Sequence, residues 1–131
     1  MFPSHDRVED AICATKAAIK EGIVPGGGVA LLNAALKIKE KNVGEEVLGR
    51  AILSPYKTIL TNAGYEEYRV SGSDGEGIDV VTGNMVNMID SGIIDPLLVT
   101  KSALQNAASV ATTILSTDCV INNIRVDESS R

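Results

Sequence analysis

Glu21-Gly22-Ile23-Val24-Pro25-Gly26-Gly27-Gly28-Val29-Ala30-Leu31 is the stretch that orders the chain around it. It starts at the end of one helical pattern and finishes inside another. Upstream, Val8, Ala11, Ile12, Thr15 and Ile19 recur at the spacing of one helix face. Asp6 followed three places later by Glu9 resembles a capping box, although that box usually opens on Ser or Thr. A helix over 6–21 is therefore expected, closed by Gly22. The Pro-Gly-Gly-Gly run breaks the chain. Downstream, Val29, Leu32, Ala35 and Leu36 restore the helical period, and Lys37, Lys39 and Lys41 suit the negative end of that helix's dipole.

Working outward, a third helix is expected from about Val43, carrying Val47, Leu48, Ala51 and Ile52. Ser54-Pro55 then reads as an N-cap followed by proline at the first helical position, so a fourth helix runs to Gly64. Ser71-Gly72-Ser73-Asp74-Gly75-Glu76-Gly77 is a loop by composition. The stretch 78–88 is ambiguous: Val80-Val81 favours a strand, 84–88 a helical turn. Gly92-Ile93-Ile94-Asp95-Pro96 repeats the cap-then-proline signal and predicts a helix to Leu115, about 30 Å long. Residues 102–115 carry no charge, which predicts burial on nearly all sides. Residues 119–124 read as a short strand and 126–131 as a polar tail.

Composition narrows the classes. The chain has 131 residues, 44% of them apolar, but aromatics are only 3%. A core of Ala, Val, Ile and Leu is expected. Lys plus Arg number 12 against 17 Asp plus Glu, a net charge of -5. That balance, with no basic cluster, argues against a nucleic-acid partner. No apolar run reaches membrane-spanning length, so no membrane partner is expected. Cys13 and Cys119 are isolated and are expected as buried thiols in a reducing compartment. The single histidine, His5, has no metal-ligand neighbours in sequence, and no metal site is expected within the chain.

Three places can carry chemistry. Asp10 has small helical neighbours in Ala14 and Ala17, so another group can approach its carboxylate. A carboxylate there can orient a water for attack on a phosphate; pattern alone favours an acid placed for the helix dipole. Gly26-Gly27-Gly28 at a helix start can bring backbone N–H groups to an anion, yet it lacks the Lys and Ser/Thr of a Walker loop. A simple turn is the plainer reading. Asp95 before Pro96 is most simply an N-cap, or else an acceptor for sugar hydroxyls. Asp79 and Asp90 stand out in no pattern, and Met85 with Met88 reads as core.

Read together, three blocks resemble the group I chaperonins, the GroEL-type folding machines. The first is Arg7-Val8-Glu9-Asp10-Ala11, Ala14-Thr15-Lys16-Ala17-Ala18 and the opening stretch from Glu21 to Leu31. The second is Asn87-Met88-Ile89-Asp90 with Gly92-Ile93-Ile94-Asp95-Pro96. The third is Val99-Thr100-Lys101-Ser102-Ala103-Leu104-Gln105-Asn106-Ala107-Ala108-Ser109-Val110-Ala111. Their order and spacing match the family as well. Residues 1–5 fall outside the resemblance.

The resemblance implies a mainly α fold: an intermediate-domain helix over 1–22, the C-terminal half of an equatorial domain with a short C-terminal strand over 23–125, and a tail over 126–131. It implies that Asp10 matches the aspartate promoting ATP hydrolysis and Gly27 the glycine where backbone meets nucleotide. Asp95 then matches the carboxylate holding the ribose, and Asp79, Val80 and Val81 the stretch at the adenine. ATP and Mg2+ are the implied cofactors, with the phosphate loop and the magnesium-holding aspartate on another part of the family's chain. The chain alone is thus expected to lack turnover and to bind them weakly. Implied partners are ring subunits, a co-chaperonin and unfolded polypeptides, with self-association of this chain through uncovered apolar faces. A bacterial cytoplasm is the expected compartment, with mitochondrial matrix and plastid as alternatives. There are departures. The segment between Gly64 and Gly77 is shorter than the common bacterial pattern, and Asp79-Val80-Val81 replaces the common Asn-Ala-Ala. A non-catalytic scaffold from a truncated chaperonin-like gene is the rival reading.

Overall fold

A proline is favoured at a first helical position, where its missing N–H would have no intrahelical partner. In the computed structural model the first helix, α1 (Pro3–Glu21), starts there. Asp6 therefore lies inside α1 and not at its cap, correcting the expected start. The structure describes residues 3–39, 42–65 and 73–121. The chain divides into two units, Met1–Thr100 and Lys101–Arg131.

In the first unit α1 ends where expected: Gly22 takes φ 89°, and its N–H donates to Ala18 O at 2.8 Å. Strand β1 (Ile23–Pro25) follows and pairs antiparallel with β4 (Ile94–Pro96), setting Val24 opposite Asp95. α1 lies against β4. Helix α2 (Val29–Lys37) leaves the glycine turn. Helix α3 (Val43–Ile52) is capped by Asn42, whose side-chain oxygen accepts from the Glu45 N–H at 2.9 Å. Helix α4 (Ser54–Asn62) has Leu53 as its N-cap, so Ser54 is the first helical residue. The Ser-Pro signal located the helix but misplaced the cap by one. Gly64, at φ 87°, turns the chain beyond it.

The ambiguous segment is a hairpin. β2 (Glu76–Ile78) pairs antiparallel with β3 (Met85–Asn87), with Gly77 opposite Val86. The strand starts inside the expected 71–77 loop, of which 71–72 lie outside the described residues. Val80-Val81 occupies the turn, and 84–88 is not helical. The physical reason is local: the Asp79 N–H donates to Asn84 O at 2.9 Å and the Gly83 N–H to Asp79 O at 2.7 Å, which closes a tip that Gly83 completes at φ 75°. After β3 the Asn87 side-chain oxygen accepts from the Ile89 and Asp90 N–H groups at 3.0 and 3.2 Å, turning the chain toward β4.

The core joins three of these elements. Val29 and Leu32 from α2, Tyr56 and Leu60 from α4, and Met88 after β3 are all buried. Each such side chain contributes about 1.5–3 kcal/mol by leaving water. An all-aliphatic core was expected; Tyr56, 1% exposed, stands at its centre. The low aromatic count says how few rings there are, not where they go.

Helix α5 (Leu97–Leu115) begins one residue beyond Pro96. Asp95 lies in β4 and so is not its N-cap. Most of α5 belongs to the second unit, and it buries no residue; Val110 is 59% exposed and Ile114 58%. The expected burial of 102–115 is not met. A charge-free helix records a preference for exclusion from water, not the presence of a cover in the same chain. Its threonines are satisfied along the helix, Thr112 and Thr113 donating to Ala108 O and Ser109 O. Residues 119–121 are not strand, and the rest of that expected strand lies outside the described residues. Cys13 and Cys119 are free and exposed, against expectation. Cys13 sits on a helix whose one buried apolar residue among those described is Ala17. No described helix is long and apolar enough to cross a membrane.

Candidate functional site

Three consecutive glycines are needed because three elements press on the same turn. A Cβ on Gly26 would stand 3.0 Å from Ile93 O, the carbonyl that accepts the Gly26 N–H at 2.9 Å. On Gly27 it would stand 2.8 Å from Met88 Cε, a side-chain end that can yield, so the left-handed φ of 63° is what favours glycine there. On Gly28 (φ 79°) it would stand 2.9 Å from the Tyr56 backbone. The turn is thus clamped between the lead-in to β4, the end of the hairpin and the start of α4. It is a packed turn, not a flexible one.

Beyond the turn, α2 has no side-chain cap and no acid in its first turn. The Val29 and Leu32 N–H groups donate to Gly26 O and Gly28 O at 3.1 and 3.0 Å. Its N-terminus keeps its positive end uncompensated by a carboxylate of its own. Across the β1–β4 ladder lies Asp95, exposed. Among the described residues no hydrogen bond or ion pair engages its carboxylate. The ladder sets Asp95 opposite Val24, three residues before Gly27 in the strand that leads into the turn.

Asp79, Val80 and Val81 form the hairpin tip. Asp79 Oδ1 accepts from the Val81 N–H at 3.0 Å and Oδ2 from the Thr82 hydroxyl at 2.7 Å. The Thr82 bond, then the Val81 bond, holds the Asp79 carboxyl below its ordinary pKa. Val81 is 89% exposed, Val80 less so. The hairpin reaches the turn through Met88, whose Sδ stands 3.3 Å from where a Cβ on Gly77 would lie. Asp10 is not brought to this edge by any described hydrogen bond. It is exposed on α1, and the helix from 10 to 21 spans about 16 Å.

Two residues that organise the site gave weaker sequence signals. Ile52, Tyr56 and Leu60 recur at i, i+4, a stripe that would have placed Tyr56 in the core. Burial raises the Tyr56 hydroxyl's pKa, and a backbone hydrogen bond from Ile78 draws it part of the way back. Met88 gave only its place in a Met pair. Among the described residues no group of three or more His, Cys, Asp or Glu gathers to hold a metal.

The described residues thus form a mainly α frame in which a glycine turn feeds α2 and an exposed carboxylate, Asp95, lies on the strand paired with β1. The sequence model of the TCP-1/cpn60 chaperonin family matches residues 3–125. The chain belongs to that family. Among solved structures it is similar to a group III chaperonin in the open state, with 25% identity and a TM-score of 0.70. The match covers 80% of this chain and 25% of that one, so the chain spans about a quarter of that chaperonin's length.

Proposed function

We propose that the chain is part of an ATP-driven protein-folding chaperonin of the group I type, contributing the base and ribose side of a nucleotide site. The observation that supports this most is the match to the chaperonin family over residues 3–125, in a chain whose β1–β4 pairing sets Asp95 opposite Val24 on the strand that leads into the Gly27 turn. In this reading Asp95, free of partners among the described residues, accepts from the ribose hydroxyls. Gly27, with no side chain, lets the backbone approach the nucleotide, and the positive end of α2 favours its negative charge. Asp79, Val80 and Val81 lie toward the base. Asp10, on α1, orients the attacking water when that helix approaches the site. In this reading Mg2+ would neutralise phosphate charge, held by an aspartate on another part of the family's chain.

Ring subunits, a co-chaperonin and unfolded polypeptides are the partners this reading carries, in a bacterial cytoplasm. It also has the chain self-associate, because Val8, Ile12, Ile19, Val110 and Ile114 present apolar surface to water. A monodisperse monomer by light scattering contradicts that part.

Titrating adenosine into isotope-labelled chain and following backbone amides by NMR tests the site. The expected result is weak saturable binding that moves Gly27, Val81 and Asp95 and is abolished by Asp95→Ala. Shifts scattered elsewhere, or none, would leave the scaffold reading in its place.

A further inference from the structure

Tyr56 touches both the glycine turn and the hairpin, through opposite ends of the residue. At its backbone, Cα and N stand 2.9 Å from where a Cβ on Gly28 would lie. At the other end its hydroxyl meets β2. The Asp79 N–H donates to Asn84 O and the Met88 N–H to Gly75 O, so the bonded rows of the hairpin pair Gly75 with Met88, Gly77 with Val86 and Asp79 with Asn84. Ile78 and Met85 face each other in an unbonded row, and the Ile78 N–H is directed away from β3. The Tyr56 hydroxyl oxygen accepts it: the bond from the Ile78 backbone favours the phenolate, as an N–H donor does and a carbonyl does not. Tyr56 is among the most deeply buried side chains, so packing holds its ring between these two contacts. Met88 also bridges the two elements, with its Cε beside Gly27 and its Sδ beside Gly77. That flexible side chain sets no direction; the bond at Tyr56 does.

We propose that Tyr56 is a coupling residue: its hydroxyl locks the outer edge of β2 to the first turn of α4, so that the hairpin and the glycine turn open and close as one body. A ligand or partner that restrains either element then restrains the other. The inference goes beyond the nucleotide reading and is tested without any ligand.

Tyr56→Phe keeps the ring and the backbone contact with Gly28 and removes only the acceptor for the Ile78 N–H. Backbone amides of the isotope-labelled full chain are followed by NMR in both proteins, by chemical shift and by hydrogen exchange, which reads local opening. In the parent chain the protection of Ile78 and Asp79 is expected to agree within about threefold with that of Gly26 and Val29, whose N–H groups donate to Ile93 O and Gly26 O. In Tyr56→Phe the Ile78 amide proton should move upfield. Ile78 and Asp79 should exchange about fivefold faster, the worth of one lost hydrogen bond, while Gly26 and Val29 stay within about twofold of the parent. An unmoved Ile78 amide refutes the lock. Equal quickening at hairpin and turn refutes the coupling, since Tyr56 would then act through overall stability. So does a parent chain in which hairpin and turn protections already differ by more than the expected margin, and that comparison needs no variant.

Discussion

Replacing Gly28 by alanine puts the packing of the glycine turn to a quantitative test. Two costs are written in the structure. Gly28 sits at φ 79°, where a residue with a Cβ loses about 1–2 kcal/mol. Its Cβ would also stand 2.9 Å from Tyr56 Cα and N, backbone atoms that cannot swing aside. Overpacking of that kind adds about 1–3 kcal/mol. The expected loss is ~2–5 kcal/mol, a large share of the roughly 5–15 kcal/mol that holds a domain folded. Gly64→Ala supplies the control, because Gly64 has φ 87° with nothing within 4 Å of the new Cβ. It should lose the conformational part alone, about 1–2 kcal/mol. Urea unfolding followed by circular dichroism measures both, with unchanged slopes showing that stability alone has moved. Equal losses in the two variants would refute the close approach of Gly28 to Tyr56. So would a Gly28→Ala chain as stable as the parent.

Other outcomes follow from single contacts. Asn42→Ala removes the α3 cap and should lower stability by about 1 kcal/mol in the same urea assay, while Asn42→Asp, which keeps an acceptor for the Glu45 N–H, should not. The Asp79 carboxyl is held below its ordinary pKa, so its contribution is present above an unfolded value near 3.9 and is lost as pH falls through the lower folded value. Stability measured downward from pH 5 should therefore fall less steeply in Asp79→Asn than in the parent chain. Cys13 and Cys119 are free and exposed, so both thiols should react with an aromatic disulfide reagent in the folded chain at rates close to those in denaturant; a protected thiol would show that a face of the chain is covered in solution.

Much of the helical frame was legible because its signals are local. The period of Val29, Leu32, Ala35 and Leu36 gave α2, and Val47, Leu48, Ala51 and Ile52 gave α3, since the residues that define each face lie within a few turns of one another. The caps shifted by a residue or more because proline can open a helix at more than one early position, as at Pro3 and Pro55. The hairpin was hidden for a different reason. Val80-Val81 has strand propensity, yet the Asp79 side chain and Gly83 outweigh it by closing a turn around those two residues. The cover of α5 was misread because pattern reports what a face prefers and not which chain supplies it.

For the site, the Pro-Gly-Gly-Gly run marked the turn, but the close approaches of Ile93 to Gly26 and of Tyr56 to Gly28, with Met88 beside Gly27, became visible only in the structure. Those three lie far from the turn in sequence, and no local pattern joins them. Asp95 looked like a cap next to Pro96 until the ladder to Val24 put it in a strand with its carboxylate open. The resemblance alone suggested a role for it, and the structure shows it exposed on the strand paired with β1.

The account is tested most directly by calorimetry of the folded chain with adenosine and with ATP, each with and without magnesium. A site limited to base and ribose contacts predicts weak binding of both, with dissociation constants on the order of a millimolar, where binding energy is about 4 kcal/mol. The two should agree within about threefold, and magnesium should change neither. Magnesium-dependent ATP binding a hundredfold or more tighter than adenosine would contradict this, since the chain or its assembly would then hold the phosphates as well.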